Sequence, residues 1–443
     1  MVARVVIAAP GSGSGKTTVA TGLMAALRRR GERVAPFKVG PDYIDPGYHG
    51  LACGITGRNL DPVLVGVERI PPLFRHGAAG ASVAVVEGVM GLFDGRIGTD
   101  GFGSTAHVAG LLDAPVLLVV DARGQSSSIA ALLHGFRTYR PEVRLAGVIL
   151  NQVGSDRHEE VLRDACVEVG LDVFGVLRRE SSLAVPSRHL GLVTAEEHGG
   201  SARAAVARMA EVVASSVDLD AVMSVARTAP ALSGEAWSPR DEVESVVGQR
   251  VVAVAGGPAF TFGYAEHVEL LAAAGAEVVV FDPLRDEALP DGTAGLVLPG
   301  GFPEQHAAEL SANTAIRSAV AAAVSRGVPV HAECGGLLYL ASTVDGVPMC
   351  GVLDVAAEMT PRLTLGYRDA VALNDSVLAE TGARATGHEF HRTVVHGRGH
   401  LPAAWAWRGE SAEGFVSGQV HASYLHVHPA GAPSMVSRFL RAC

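Results

Sequence analysis

The stretch Val5-Val6-Ile7-Ala8-Ala9-Pro10-Gly11-Ser12-Gly13-Ser14-Gly15-Lys16-Thr17-Thr18 runs from an apolar strand through a glycine-rich turn into an Ala/Leu-rich helix. In that order the turn aims backbone N–H groups and the positive end of the helix dipole at phosphate. A strand feeding a helix this way is also the first half of a parallel α/β unit. A second strand-to-helix turn follows Val328-Pro329-Val330, where Ala332-Glu333-Cys334-Gly335-Gly336 puts a cysteine at the sharp corner suited to a nucleophile. The pair of turns implies a chain that activates a group with ATP and attacks it with nitrogen.

Composition narrows the field. A chain of 443 residues exceeds what one core usually supports, so roughly two to three domains are expected. Hydrophobic residues make up 48% but aromatics only 5%, and the Ala/Val/Leu bias suits helices packed closely on parallel sheets. A net charge of −10 with no basic stripe argues against nucleic acid as partner. The start, Met1-Val2-Ala3-Arg4-Val5, lacks the apolar stretch of a signal peptide, and no run of roughly 18 uncharged apolar residues offers a membrane span. A cytoplasmic protein is expected. Five scattered cysteines without a C-x-x-C pair fit a reducing compartment, and four of them read as small buried hydrophobes or a frayed terminus.

Up to about residue 215, short Val/Ile/Leu runs alternate with helical patterns: Val5 to Ala9, Val34 to Lys38, Val83 to Glu87, Val116 to Val120, Leu145 to Leu150 and Val173 to Val176. This alternation predicts a doubly wound parallel sheet. Several runs end in Lys38, Glu87, Asp121 or Asn151, and ligands bind beyond the carboxyl ends of such strands. A polar stretch breaks the pattern, and a second alternating unit begins at Arg250. The expected architecture is α/β with two doubly wound domains, 1–226 and 249–443, joined by a linker over 227–248. In the second, a helix from about Ala315 to Arg326 should end at Gly327.

A strict phosphate loop would carry glycine where Pro10 stands. Gly11, Gly13 and Gly15 still let the backbone approach an anion, Lys16 can reach the terminal phosphates, Thr17 can hold Mg²⁺, and Thr18 joins them in binding ATP. The competing reading is a Gly/Ser turn without a ligand. Further carboxylates lie on two strand-end loops, one with Lys38, Asp42, Tyr43 and Asp45, the other with Glu87 and Asp94. Solvated turn acids are the alternative for each. Here Glu87 is assigned to Mg²⁺, and the remaining groups to a substrate carboxylate and its acyl phosphate. Asn151 is either an adenine contact or a simple turn residue.

Cys334 calls for a histidine and a helix N-terminus to favour its thiolate. The segment Gln419 to His428 alternates as a strand, with His426 and His428 on one face. The amides of Gly301, in Val297-Leu298-Pro299-Gly300-Gly301, and of Gly335 offer an oxyanion hole. The cluster His388-Glu389-Phe390-His391 has metal-like spacing but no further ligands, which argues against zinc.

The stretches Lys38 to Pro46, Glu87 to Gly95, Ala332 to Leu340, Gly387 to His391 and Ala422 to His428 occur in the order of one family. Over essentially its full length the chain resembles the cobyrinic acid or hydrogenobyrinic acid a,c-diamide synthases. Its first domain is similar to dethiobiotin synthetase and its second to class I glutamine amidotransferases. The resemblance implies an ATP- and glutamine-dependent ligase that phosphorylates a peripheral carboxylate of a corrinoid, displaces the phosphate with ammonia released at Cys334, and repeats the cycle at a second carboxylate. It makes His426 the base. Related triads carry an acid two residues after that histidine, where this chain has His428, so a Cys334–His426 dyad stands beside the usual triad. Two other readings compete, another tetrapyrrole amidase or a regulatory P-loop ATPase with an inactive amidotransferase module. Against the ATPase, Gly11 stands where such switches carry a second lysine. Sequence leaves open the ring metal (none, cobalt or nickel) and the oligomeric state, a homodimer included.

Overall fold

The computed structural model describes residues 2–179, 187–188, 191–192, 194–246, 248 and 250–443. The chain divides into two compact units, Met1–Trp237 and Ser238–Cys443. The division falls within the polar stretch after residue 226. Residues just before it lie along the first unit: the Arg4 guanidinium donates to the Pro230 carbonyl at 2.7 Å and Trp237 N–H to Pro72 at 3.0 Å.

In the first unit, seven strands form one parallel sheet: β1 (Ala3–Ala8), β2 (Val34–Val39), β3 (Arg58–Leu60), β4 (Val83–Glu87), β5 (Val116–Asp121), β6 (Leu145–Val153) and β7 (Asp172–Arg178), in the order β3-β2-β4-β1-β5-β6-β7. β1, β2 and β4 are buried along their whole length, which explains their near-continuous apolar runs. The register sets Ile7 and Lys38 level with Glu87. Three strand ends therefore finish together, where α1 (Lys16–Arg29) and α2 (Asp45–Cys53) begin. Helix α1 presses on the helix Gly200–Ser216 so closely that a β-carbon on Gly22 would stand 2.7 Å from the Met209 carbonyl oxygen.

Among the described residues the second unit has two sheets. In the first, the parallel strands Ala276–Phe281, Arg250–Ala255, Thr293–Leu298, Val330–Glu333 and Val420–Ser423 lie in that order, with Phe415–Ser417 antiparallel at the edge. Leu296, Leu298, Val330, Ala332, Leu337 and Tyr339 form its core, all fully buried. The helix Thr314–Ser325 stops before Gly327, whose φ of +85° is the left-handed cap its sequence called for. The second sheet is built on the long antiparallel pair Ala356–Ala372 and Arg384–His396. Sequence periodicity missed this layer because one strand of the pair is mostly half-exposed and the register slips between Met359 and Thr364.

One expectation is corrected here. Gln419 to His428 is not a single strand: it breaks after Ser423, and His426–Val427 crosses to the second sheet to pair with Gly387 and His388. The break is fixed by hydrogen bonds, with Leu425 N–H donating to Ser423 Oγ and the Ser423 hydroxyl to Glu413.

Candidate functional site

The phosphate loop lies between β1 and α1 in the arrangement its sequence requires. Gly13 and Gly15 have φ of +79° and +93°, and at Gly15 any side chain would also strike the Asn151 amide. Asn151 donates to the Ser14 carbonyl at 3.0 Å and accepts from Gln152 N–H, so the strand-end asparagine braces the loop. Lys16 Nζ donates to the carbonyls of Met90 at 2.6 Å and Gly11 at 3.2 Å, which holds it across the loop. Burial and the neighbouring Lys38 push its pKa down. Thr18 is half-buried on the first turn of α1.

Around Thr17 the structure gathers a buried polar cluster. Its hydroxyl lies 2.7 Å from Glu87 Oε1 and 3.3 Å from Asp45 Oδ2. Lys38 Nζ bridges the same two oxygens at 2.9 and 2.6 Å. Burial opposes the charges, but mutual pairing keeps Lys38 cationic, its pKa raised, and Glu87 anionic, its pKa lowered. Asp45, pushed up by burial and by Asp42 and Glu87 despite Lys38, is the carboxyl of the cluster that takes a proton most readily. His49, missed by the sequence reading, contacts Glu87 Oε2 at 2.6 Å. Its only signal is its place four residues after Asp45, one helical turn along the same face of α2. The hydroxyl of Thr17 and the carboxylates of Glu87 and Asp45 are hard oxygen donors of the kind Mg²⁺ takes beside nucleotide phosphates.

Other sequence candidates are distributed differently. Asp42 accepts from the N–H groups of Ile44 and Asp45 and so shapes the entry to α2, with Tyr43 half-buried beside it. Asp94 is exposed and accepts from Gly91 N–H at 2.9 Å, closing the loop that carries Met90. Asp121, another polar strand end, pairs with Arg123 at 2.6 Å.

In the second unit, Cys334 has φ +46° and ψ −97°, a conformation strained for any side chain, at the corner between Val330–Glu333 and the helix Gly335–Leu340. Its N–H donates to Ser423 at 2.7 Å and its thiol points at the Phe390 carbonyl, 3.9 Å away. Burial, then the carboxylates of Glu304, Glu333 and Glu389, raise the thiol pKa well above its usual value, against the opposing Gly335 N–H. Burial thus favours the uncharged thiol over the thiolate. Gly301 and Gly335 come together: a β-carbon on Gly335 would lie 2.9 Å from Gly301 N. Gly300 packs against the ring of His426, which is fully buried. His426 Nδ1 lies 3.5 Å from Glu333 Oε2, a neighbour the sequence reading passed over. His428 is turned elsewhere: its Nδ1 accepts from Ala430 N–H at 3.2 Å, and its Nε2 lies 3.9 Å from Glu266.

His388, Glu389 and His391 flank this corner and are engaged with protein partners. Glu389 pairs with Arg368 at 2.6 Å, while His391 stacks on Tyr424 and meets the Thr393 carbonyl at 2.8 Å. Among the described residues no helix is long and apolar enough to cross a membrane.

Comparison with known proteins accounts for both halves. Residues 5–193 match the CobQ/CobB/MinD/ParA nucleotide binding domain, and residues 251–433 match the CobB/CobQ-like glutamine amidotransferase domain. A phosphate loop on a parallel sheet, joined in one chain to a glutamine amidotransferase fold with a cysteine elbow, defines a nucleotide-using, glutamine-dependent amide ligase. Across 100% of its length the chain is 57% identical to a hydrogenobyrinate a,c-diamide synthase of Streptomyces coelicolor, covering 98% of that protein. It is 58% identical to the protein of the same name from Mycobacterium bovis, over 99% of this chain and 97% of that one. To a cobyrinate a,c-diamide synthase of Gloeobacter violaceus it is 44% identical, over 99% and 96%. The chain belongs to the a,c-diamide synthase family.

Proposed function

We propose that this protein converts the a and c side-chain carboxylates of hydrogenobyrinic acid to amides, a step of cobalamin biosynthesis, using ATP and glutamine. The observation that carries the reading is that one chain holds a phosphate loop with its Thr17–Glu87–Lys38 cluster and a cysteine elbow, along the whole length of relatives named for this reaction. Higher identity to the hydrogenobyrinate enzymes, 57% against 44%, supports the metal-free ring as substrate.

A carboxylate resists ammonia until it carries a leaving group. Its oxygen attacks the γ-phosphorus of ATP, ADP departs, and an acyl phosphate forms. Such transfers depend on positioning and charge neutralisation more than on covalent help from the protein. Lys16 and the amides of the Gly11 to Thr17 turn hold the phosphates, while Lys38 keeps Glu87 and Asp45 in place. Thr17 and Glu87 would hold Mg²⁺, which would offset the charge of the phosphates. Asp42, Tyr43 and Asp94 line the loops assigned to the substrate. Ammonia then attacks the acyl carbon and phosphate leaves.

Nitrogen comes from the second unit. The Cys334 thiol passes its proton to His426 as sulfur bonds to the glutamine amide carbon. The amides of Gly301 and Gly335 stabilise the oxyanion. His426 returns the proton to the departing nitrogen, and water hydrolyses the thioester to glutamate.

The test is mass spectrometry of products from hydrogenobyrinic and cobyrinic acids with ATP, Mg²⁺ and either glutamine or an ammonium salt. Two amides on the metal-free ring are expected. Cys334→Ala should lose the glutamine route and keep the ammonium route. Amidation of a different number of carboxylates, or a glutamine route that survives Cys334→Ala, would overturn the proposal.

A further inference from the structure

Related amidotransferase triads place the histidine's acid two residues downstream, a position held here by His428, which caps the turn at Ala430 and faces Glu266. We propose that Glu333, the residue immediately before the nucleophile, supplies the carboxylate that orients His426 and stabilises its protonated form during glutamine hydrolysis. This rests on the glutamine site described above.

The topology brings Glu333 there. Parallel pairing sets Glu333 level with Ser423. The break after Ser423 then turns His426–Val427 toward the second sheet and across the end of the Glu333 strand. The carboxylate meets this short strand with both oxygens: Oε1 lies 3.3 Å from Val427 N and Oε2 lies 3.5 Å from His426 Nδ1. An N–H on Nδ1 directed at Glu333 leaves Nε2 to serve as the base. His331 Nε2, 3.2 Å from Oε1, is a second donor that fixes the carboxylate from behind.

The surrounding charges favour an ionised Glu333. His331 and His426 hold its pKa below the usual carboxylate range in spite of burial. His267 and His421, which also feel this carboxylate, are kept neutral by burial. His388 faces His426 from the antiparallel pair and is likewise neutral, while Glu304 and Glu389 act on Cys334. A side chain next to the nucleophile in sequence thus does for His426 what a downstream acid does in related triads.

The experiment uses the full-length enzyme and compares Glu333→Gln, Glu333→Asp and Cys334→Ala in glutamine hydrolysis, with ammonium-driven amidation as a second readout. Glu333→Gln keeps the shape but removes the charge, so its kcat for glutamine should fall about 100-fold or more with little change in KM. Glu333→Asp should restore part of the rate, and ammonium-driven amidation should persist in both variants. An unchanged kcat for glutamine in Glu333→Gln, beside an inactive Cys334→Ala, would overturn this proposal alone. Loss of both nitrogen routes without rescue by Glu333→Asp would make Glu333 a scaffold residue and overturn it as well. A glutamine route surviving Cys334→Ala would overturn this proposal together with the function proposed above.

Discussion

Gly300→Ala is a sharp probe of how closely the amidotransferase corner is fitted. The added methyl would overlap Cε1 of His426, stand 3.3 Å from its Nε2 and 3.1 Å from Cβ of Phe262. The backbone at Gly300 is not left-handed, so the effect is steric rather than conformational. The ring is fully buried and can relieve the overlap only by moving roughly 1 Å, a misplacement that costs about 100-fold in rate when the group is a catalytic base. Overpacking should lower stability by about 1–3 kcal/mol, which leaves the protein folded. The assay is glutamate release from glutamine, run beside ammonium-driven amidation and thermal unfolding. Glutaminase activity should collapse while ammonium-driven amidation continues. Wild-type glutamine hydrolysis in Gly300→Ala would refute the assignment of His426 as the base.

Three further outcomes test other parts of the molecule. Lys38→Met leaves the carboxylates of Glu87 and Asp45 buried without their ammonium, so calorimetry should show a loss of about 3–5 kcal/mol, and an unchanged unfolding temperature would contradict the cluster. Asp45→Asn, which alters a group touching both Thr17 and Lys38, should weaken nucleotide affinity in titration calorimetry and depress amidation with either nitrogen source. Asp94→Asn should spare nucleotide binding, and equal effects of the two would remove the distinction between them. Glu413 is raised to about 7 by burial, with hydrogen bonds from Ser423 and Tyr424 N–H opposing the rise and Glu389 adding to it. Its folded form holds the proton more tightly than the unfolded chain. Stability from this group is therefore greatest below about pH 4.5, falls as pH rises toward 7 and is flat above, a change of about 3 kcal/mol. Glu413→Gln should flatten that slope in unfolding measured from pH 4.5 to 8, and an identical slope in both proteins would disprove it.

From the sequence alone, both turns could be read, because a phosphate loop and a cysteine elbow are local objects: a strand, a few residues of special backbone and a helix, all within one short stretch. Alternation of apolar runs likewise disclosed the parallel sheets, whose strands must be apolar on both faces. The polar strand ends of Lys38 and Glu87 were legible for the same reason, although only register shows that they meet over Thr17. Tertiary structure decided the rest. His49 looks like any helical histidine until α2 folds against β2 and brings it to Glu87, at the end of the neighbouring β4. The run from Gln419 to His428 alternates like one strand, yet bonds from Ser423 to Leu425 and Glu413 break it and send its halves to different sheets. That break delivers His426 to Glu333, a residue more than ninety positions away in the chain. Periodicity describes which side of an element is buried; the partner that a buried polar group finds there is set by close packing between distant segments, which the periodicity of a single segment does not encode.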